Sequence, residues 1–147
     1  MTAKTETLRE TVAAAFNRLA REGVAAFRAH DAQARPELSH VCLKFRDMAA
    51  YHAHVAAAQG LGPVTREIFN GKEISWCRLD APLHGNGLTL EYIEFVEPRT
   101  EQHDTDGVSS IGFAVPALDA PVKLPSADPG VIFRYQKNHA RDLMPKA

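Results

Sequence analysis

Two side chains in this sequence have the chemistry and the placement to act together, the imidazole of His40 and the carboxylate of Glu94. His40 opens the alternating segment SHVCLKF (39–45), and Glu94 lies within another, LTLEYIEFVE (88–97). Every second residue is apolar, Val41, Leu43 and Phe45 in the first and Ile93 and Phe95 in the second, which is the period of a β-strand. If those apolar faces pack against helices, the opposite faces present His40, Cys42 and Lys44 on one strand and Tyr92 and Glu94 on the other. A third strand, VSSIGFAV (108–115), turns Ser110, Gly112 and Ala114 the same way, and VIFRYQ (131–136) is expected to add Phe133 and Tyr135 to that side. Trp76 and Arg78, from KEISWCRL (72–79), complete the expected lining. An apolar wall with a few convergent polar groups is the usual form of a small-molecule site.

Each of these residues also has a plainer reading. A histidine at a strand start is more often a hydrogen-bonded structural residue than a ligand. Glu94, between Ile93 and Phe95, needs a partner for its charge, and Lys44 or Arg78 would serve. Trp76, Tyr92 and Tyr135 read as core or pocket wall. Arg134 and Arg78 are candidates to steady an acidic substrate. His52 and His54 are two apart on a helix and diverge. His30, His84 and His139 read as surface residues, although His139 and His103 lie in stretches from which a histidine could swing into the site.

The elements that must position these groups follow from periodicity and punctuation. Leu8, Val12, Ala15, Phe16, Leu19, Ala26 and Phe27 recur at helical spacing, which predicts an amphipathic helix over about 5–30 with a break near Gly23. Asp47 is a good N-cap for a second helix, MAAYHAHVAAAQ, closed by Gly60. Asn70-Gly71 between VTREIF (64–69) and KEISWCRL is a strong hairpin signal. DAPLHGNG (80–87) reads as a Pro/Gly-rich loop. The first unit, 38–97, is therefore β-α-β-β-β. An acidic linker (98–107) leads to a shorter second unit, 108–137. There, prolines 116, 121, 125 and 129 forbid a helix between the two strands.

Composition sets the class. The 147 residues suit one domain, 45% apolar and 24% charged. Seventeen basic and eighteen acidic residues nearly cancel, and no basic stripe suggests a nucleic-acid partner. No segment is long and apolar enough to span a bilayer or serve as a secretory signal. Cys42 and Cys77 are isolated and read as reduced, buried thiols of a cytoplasmic protein.

The order of these pieces resembles a known family. A strand opening with histidine, SHVCLKF, then a helix, the hairpin FNGKEISWCRL, a strand ending IEFVEP and the second-unit strand GVSSIGFAV are similar to the YecM-like branch of the vicinal oxygen chelate superfamily. That superfamily includes glyoxalases, extradiol dioxygenases and bleomycin-resistance proteins. The resemblance covers roughly 38–137. It implies an α+β fold in which βαβββ modules, the second abbreviated here, form an open curved mixed sheet around a divalent metal, with helices on the outer face. It also implies that His40 and Glu94 fill the first two ligand positions for Zn, Mn, Fe or Ni. Ser110 and Tyr135 fall where the remaining ligands would be, and neither hydroxyl binds a metal well at neutral pH. Glu91 would need a bulge to reach the site.

Two functions follow as expectations. One is a metal-assisted isomerase, lyase or dioxygenase, with His40 and Glu94 holding the ion and Tyr135 or Ser110 donating to the developing charge. The other is a metal-free binding or sequestering protein whose cavity is closed by Trp76 and Tyr92. A cystatin-like helix-on-sheet fold would leave His40 without a metal role. The second unit has no helix of its own to cover its back, so a homodimer across that surface is expected.

Overall fold

A computed structural model of the chain describes residues 2–98 and 105–144; His103 lies outside them. Helix α1 runs from Ala3 to Arg28, capped by Thr2, whose hydroxyl accepts from the Thr5 amide. It is continuous through Gly23, where the sequence suggested a break. A Cβ at Gly23 would come within 2.4 Å of the Phe113 ring. The missing side chain therefore lets the helix lie close against the sheet. Leu8, Val12, Phe16, Leu19 and Phe27 form the buried stripe of α1. Each fully buried apolar side chain of this kind contributes about 1.5–3 kcal/mol. The short helix α2, Met48–Ala58, is capped by Asp47 and buries Tyr51, Val55 and Ala58.

Among the described residues seven strands form one mixed, curved sheet: β1 Glu37–Lys44, β2 Val64–Phe69, β3 Lys72–Gly85, β4 Leu88–Val96, β5 Gly107–Ala114, β6 Val122–Pro125 and β7 Ile132–Gln136. Their order is β2-β3-β4-β1-β5-β7-β6. The β1–β4 and β5–β7 pairs are parallel, and the others are antiparallel. A last helical turn, α3, covers Ala140–Leu143. Asn70 and Gly71 both have positive φ, as the hairpin signal requires, and Asn86 and Gly87 repeat that geometry between β3 and β4. The stretch read as a loop at 80–87 is thus largely strand, irregular between Arg78 and Leu83 and closed by a second Asn-Gly turn. The proline-rich stretch likewise contains β6.

One face of the sheet packs against the helices. Val41, Leu43, Phe45, Ile93, Phe95, Ile111, Phe113 and Val115 all enter the core, as alternation required. Helix α1 also reaches the second unit: Phe27 stacks near Tyr135, with ring centroids 4.6 Å apart, and Gly23 abuts Phe113 and Phe133. The helix thereby packs on the back of the second unit, which has no helix of its own. Tyr135 is the main departure from the predicted faces. It is fully buried in this core, and its hydroxyl donates to the Gly23 carbonyl at 2.6 Å. It therefore stands on the opposite side of the sheet from His40 and, contrary to expectation, cannot donate to a ligand held there.

Candidate functional site

The other, inner face brings His40 and Glu94 together. Position 39 is a bulge: Leu38 pairs with Phe113 and His40 with Gly112, leaving Ser39 as the extra residue. That extra residue lets both Leu38 and Val41 face the core while His40 points inward. Strand β4 lies on the other side of β1, with Cys42 opposite Glu94. His40 Nε2 is 3.5 Å from Glu94 Oε1; the histidine is almost wholly buried and the carboxylate side chain keeps 18% exposure. The Trp76 ring meets the His40 ring edge-on, centroids 5.2 Å apart. Gly112 leaves room for the imidazole, since a Cβ there would approach its Cε1 to 2.5 Å.

A hydrogen-bonded chain fixes the imidazole. The Ala140 amide donates to Ser39 Oγ at 2.8 Å, and Ser39 Oγ is 2.8 Å from His40 Nδ1. Ser39 thereby holds the Nδ1 side of the ring, which turns Nε2 toward Glu94. Burial opposes ionisation of Glu94. His40 outweighs it, as hydrogen-bond donor and as the charge it carries when protonated, helped by the Cys42 thiol and Arg134. Together they hold the carboxyl below the usual carboxylate range. The anticipated partners Lys44 and Arg78 form no ion pair with Glu94 among the described residues; His40 takes that place. Burial, reinforced by Glu94, pushes the Cys42 thiol far up, and burial takes Cys77 to about 12. Both cysteines are free, and neither is a thiolate at neutral pH.

The C-terminal segment covers one end of this face. Ala140 and Met144 pack on Trp76, Tyr92 and Ile74. His139 caps α3, accepting from the Arg141 amide at Nδ1 and lying 2.9 Å from the Leu38 carbonyl at Nε2. It is buried, not the surface residue that its place in the tail suggested. Arg141 grips Glu37 through two hydrogen bonds of 2.8 and 2.9 Å.

The remaining predicted residues divide between the centre and the edges of the site. Ser110 is buried opposite Cys42, and Tyr92 lies beneath α3. Lys44 is half-buried at the end of β1, and Arg78 is exposed beside Tyr92. The inward position on β7 belongs to Arg134, opposite Gly112, and not to Tyr135. The signal was present in VIFRYQ itself: Phe133 and Tyr135 are its bulkiest alternating residues and so belong to the core. Ser39 and the tail were missed because neither a bulge nor a tertiary cover has a local sequence signature. A separate apolar cavity of about 320 Å³ opens on the helical side, between α1 and α2, lined by Leu8, Leu43, Phe45, Ala53, His54 and Ala57. It is separated from His40 by the sheet.

Among the described residues no group of three or more His, Cys, Asp or Glu is arranged to hold a metal ion, and no helix is long and apolar enough to cross a membrane. No family model matches the chain, and no curated protein matches it. A solved structure described as "Structural Genomics, Protein EC4020" is similar over 97% of this chain and 95% of its own, with a TM-score of 0.64 at 11% identity. At that identity the likeness speaks for the fold alone.

Proposed function

We propose that this chain is a vicinal oxygen chelate-type protein whose inner face binds a small organic molecule beside His40 and Glu94 without a resident metal ion. The observation that carries the reading is the His40–Glu94 pair itself, a nearly buried imidazole and an ionised, partly open carboxylate against an aromatic wall. Strand order supports the fold assignment: β1-α2-β2-β3-β4 pairs β1 directly with β4, and β5 of the shorter unit lies next to β1. Thr65 Oγ1 adds a second indication. It is buried without a hydrogen-bond partner among the described residues, and it pairs with Trp76 on the same face. A buried hydroxyl left unpaired is costly unless a water or a ligand satisfies it.

The donor set does not fit the metal that the family resemblance implies. Two good donors are present where a stable site needs three or four, and no group of three or more His, Cys, Asp or Glu is arranged around them among the described residues. The second unit offers Ser110, Gly112 and Arg134 at the inward positions, none of them a ligand at neutral pH.

Equilibrium dialysis of the wild-type chain with Ni²⁺, Mn²⁺ and Zn²⁺ is expected to give no stoichiometric site. A thermal-shift screen of small organic acids, alcohols and amides is expected to yield stabilising compounds whose effect is lost in His40→Gln. A one-to-one metal site lost in both His40→Ala and Glu94→Ala would instead establish the metal-dependent reading.

A further inference from the structure

We propose that Arg134 and Lys123 form a carboxylate-binding subsite at the β6–β7 edge of the inner face, so that the molecule held beside His40 and Glu94 is a small organic acid. The inference rests on the reading of the inner face as a ligand site and names its substrate class.

Strands β6 and β7 are antiparallel, and Lys123 pairs directly with Arg134. Directly paired residues leave a sheet on the same side. Their neighbours Val122, Leu124, Phe133 and Tyr135 go to the helical core, so the two cations occupy the inner face. Arg134 is also paired with Gly112 on β5, the residue over which the His40 ring lies. The absence of a side chain at 112 leaves no wall between the guanidinium and the imidazole. The charge of Arg134 is felt by both the Glu94 carboxyl and the Cys42 thiol.

Two features make this pair unlike ordinary surface cations. Like charges directly opposite one another weaken a sheet, yet here a lysine and an arginine face each other. Neither forms an ion pair among the described residues: the carboxylate nearest in kind, Glu94, is engaged by His40. An anion bound between them would relieve their repulsion. A guanidinium offers two parallel N–H donors that match a carboxylate, and its charge does not titrate. Glu94 repels the same anion, so a bound acid would keep its carboxylate at Arg134 and Lys123 and direct its carbon skeleton toward His40 and Trp76.

Trp76 is the chain's one tryptophan, buried next to His40, and reports on this face by its fluorescence. The full chain would be titrated with malonate, succinate, their uncharged diamides and inorganic phosphate, with Arg134→Gln and Lys123→Gln as variants; both positions are exposed and the changes leave the core intact. A saturable response to the dicarboxylates is expected, weakened by salt and reduced about tenfold by Arg134→Gln, or about 1.4 kcal/mol, with a smaller loss for Lys123→Gln and no response to the diamides. Equal affinity in wild type and variants, or diamides binding as well as the acids, overturns the carboxylate subsite and leaves the inner-face pocket standing. Saturation by phosphate but by neither dicarboxylate also overturns it. No change at Trp76 with any probe removes the subsite and the pocket together.

Discussion

Gly112 lies directly beneath the His40 ring, close enough that a Cβ there would stand 2.5 Å from Cε1 and 2.9 Å from each ring nitrogen. The imidazole cannot swing away cheaply, because Ser39 holds one nitrogen and Glu94 faces the other. Gly112→Ala is expected to destabilise the fold by about 1–3 kcal/mol, the usual cost of overpacking. Urea unfolding would measure it, and an unchanged midpoint would mean that the ring is not pinned.

Removing the Tyr135 hydroxyl tests the division of the two faces. Tyr135→Phe loses the bond to the Gly23 carbonyl, which continues to serve as a helix acceptor, so a loss of about 1 kcal/mol is expected. Any response of Trp76 to small ligands should be unaltered, since the two rings lie on opposite sides of the sheet. A variant of normal stability with impaired binding would return Tyr135 to the site.

Acid should loosen the C-terminal turn before the rest of the molecule. Burial, with Arg141 beside it, holds the His139 pKa below the ordinary value; Glu37 and the Leu38 carbonyl pull the other way, and His40 adds to the depression. The unfolded chain therefore takes up the proton first, and stability falls as pH drops from about 6.5 through the lower folded value. Protonation also puts a hydrogen on Nδ1, where the Arg141 amide now donates. Hydrogen exchange at the Ala140 amide, which is bonded to Ser39, should accelerate over that window and not in His139→Asn.

Glu94 contributes in the opposite part of the scale. Its folded pKa lies below the ordinary carboxylate value, so its stabilisation is present above about pH 4.3 and is lost as pH falls through the folded value. Glu94→Gln should therefore flatten the acid limb of the stability curve below about pH 4.3. An acid limb identical to that of the wild type would show the carboxylate to be unperturbed.

Much of this architecture could be read from the residues, and the misreadings have physical causes. Alternation in 39–45 and 88–97 placed His40, Cys42, Tyr92 and Glu94 on one face, because a buried apolar face leaves little freedom of register. Asn70-Gly71 and Asp47 marked a turn and a cap whose chemistry is local. Asn86-Gly87 carried the same turn signal as Asn70-Gly71, but the prolines and glycines before it hid the strand. The inward residue on β7 was misassigned because a five-residue strand with apolar side chains in alternate positions does not announce which side the helices occupy. The Ser39 bulge, and the burial of His139 and Ala140 over Trp76, depend on contacts between residues about a hundred apart, and no local pattern encodes them.

The bond from Tyr135 to Gly23 joins positions 112 residues apart, and the helix that carries Gly23 is made well before the strand that carries Tyr135. During synthesis the first turns of α1 can seat early on α2, β1 and β4, but the end that carries Gly23 and Phe27 waits for β5 and β7. Closing so long a loop is slow, and surface left waiting in the meantime is what chaperones recognise. The Gly23 end of the helix is in this sense the last piece to be fitted, and a chain cut short before β7 would be expected to persist as a sticky, half-assembled species.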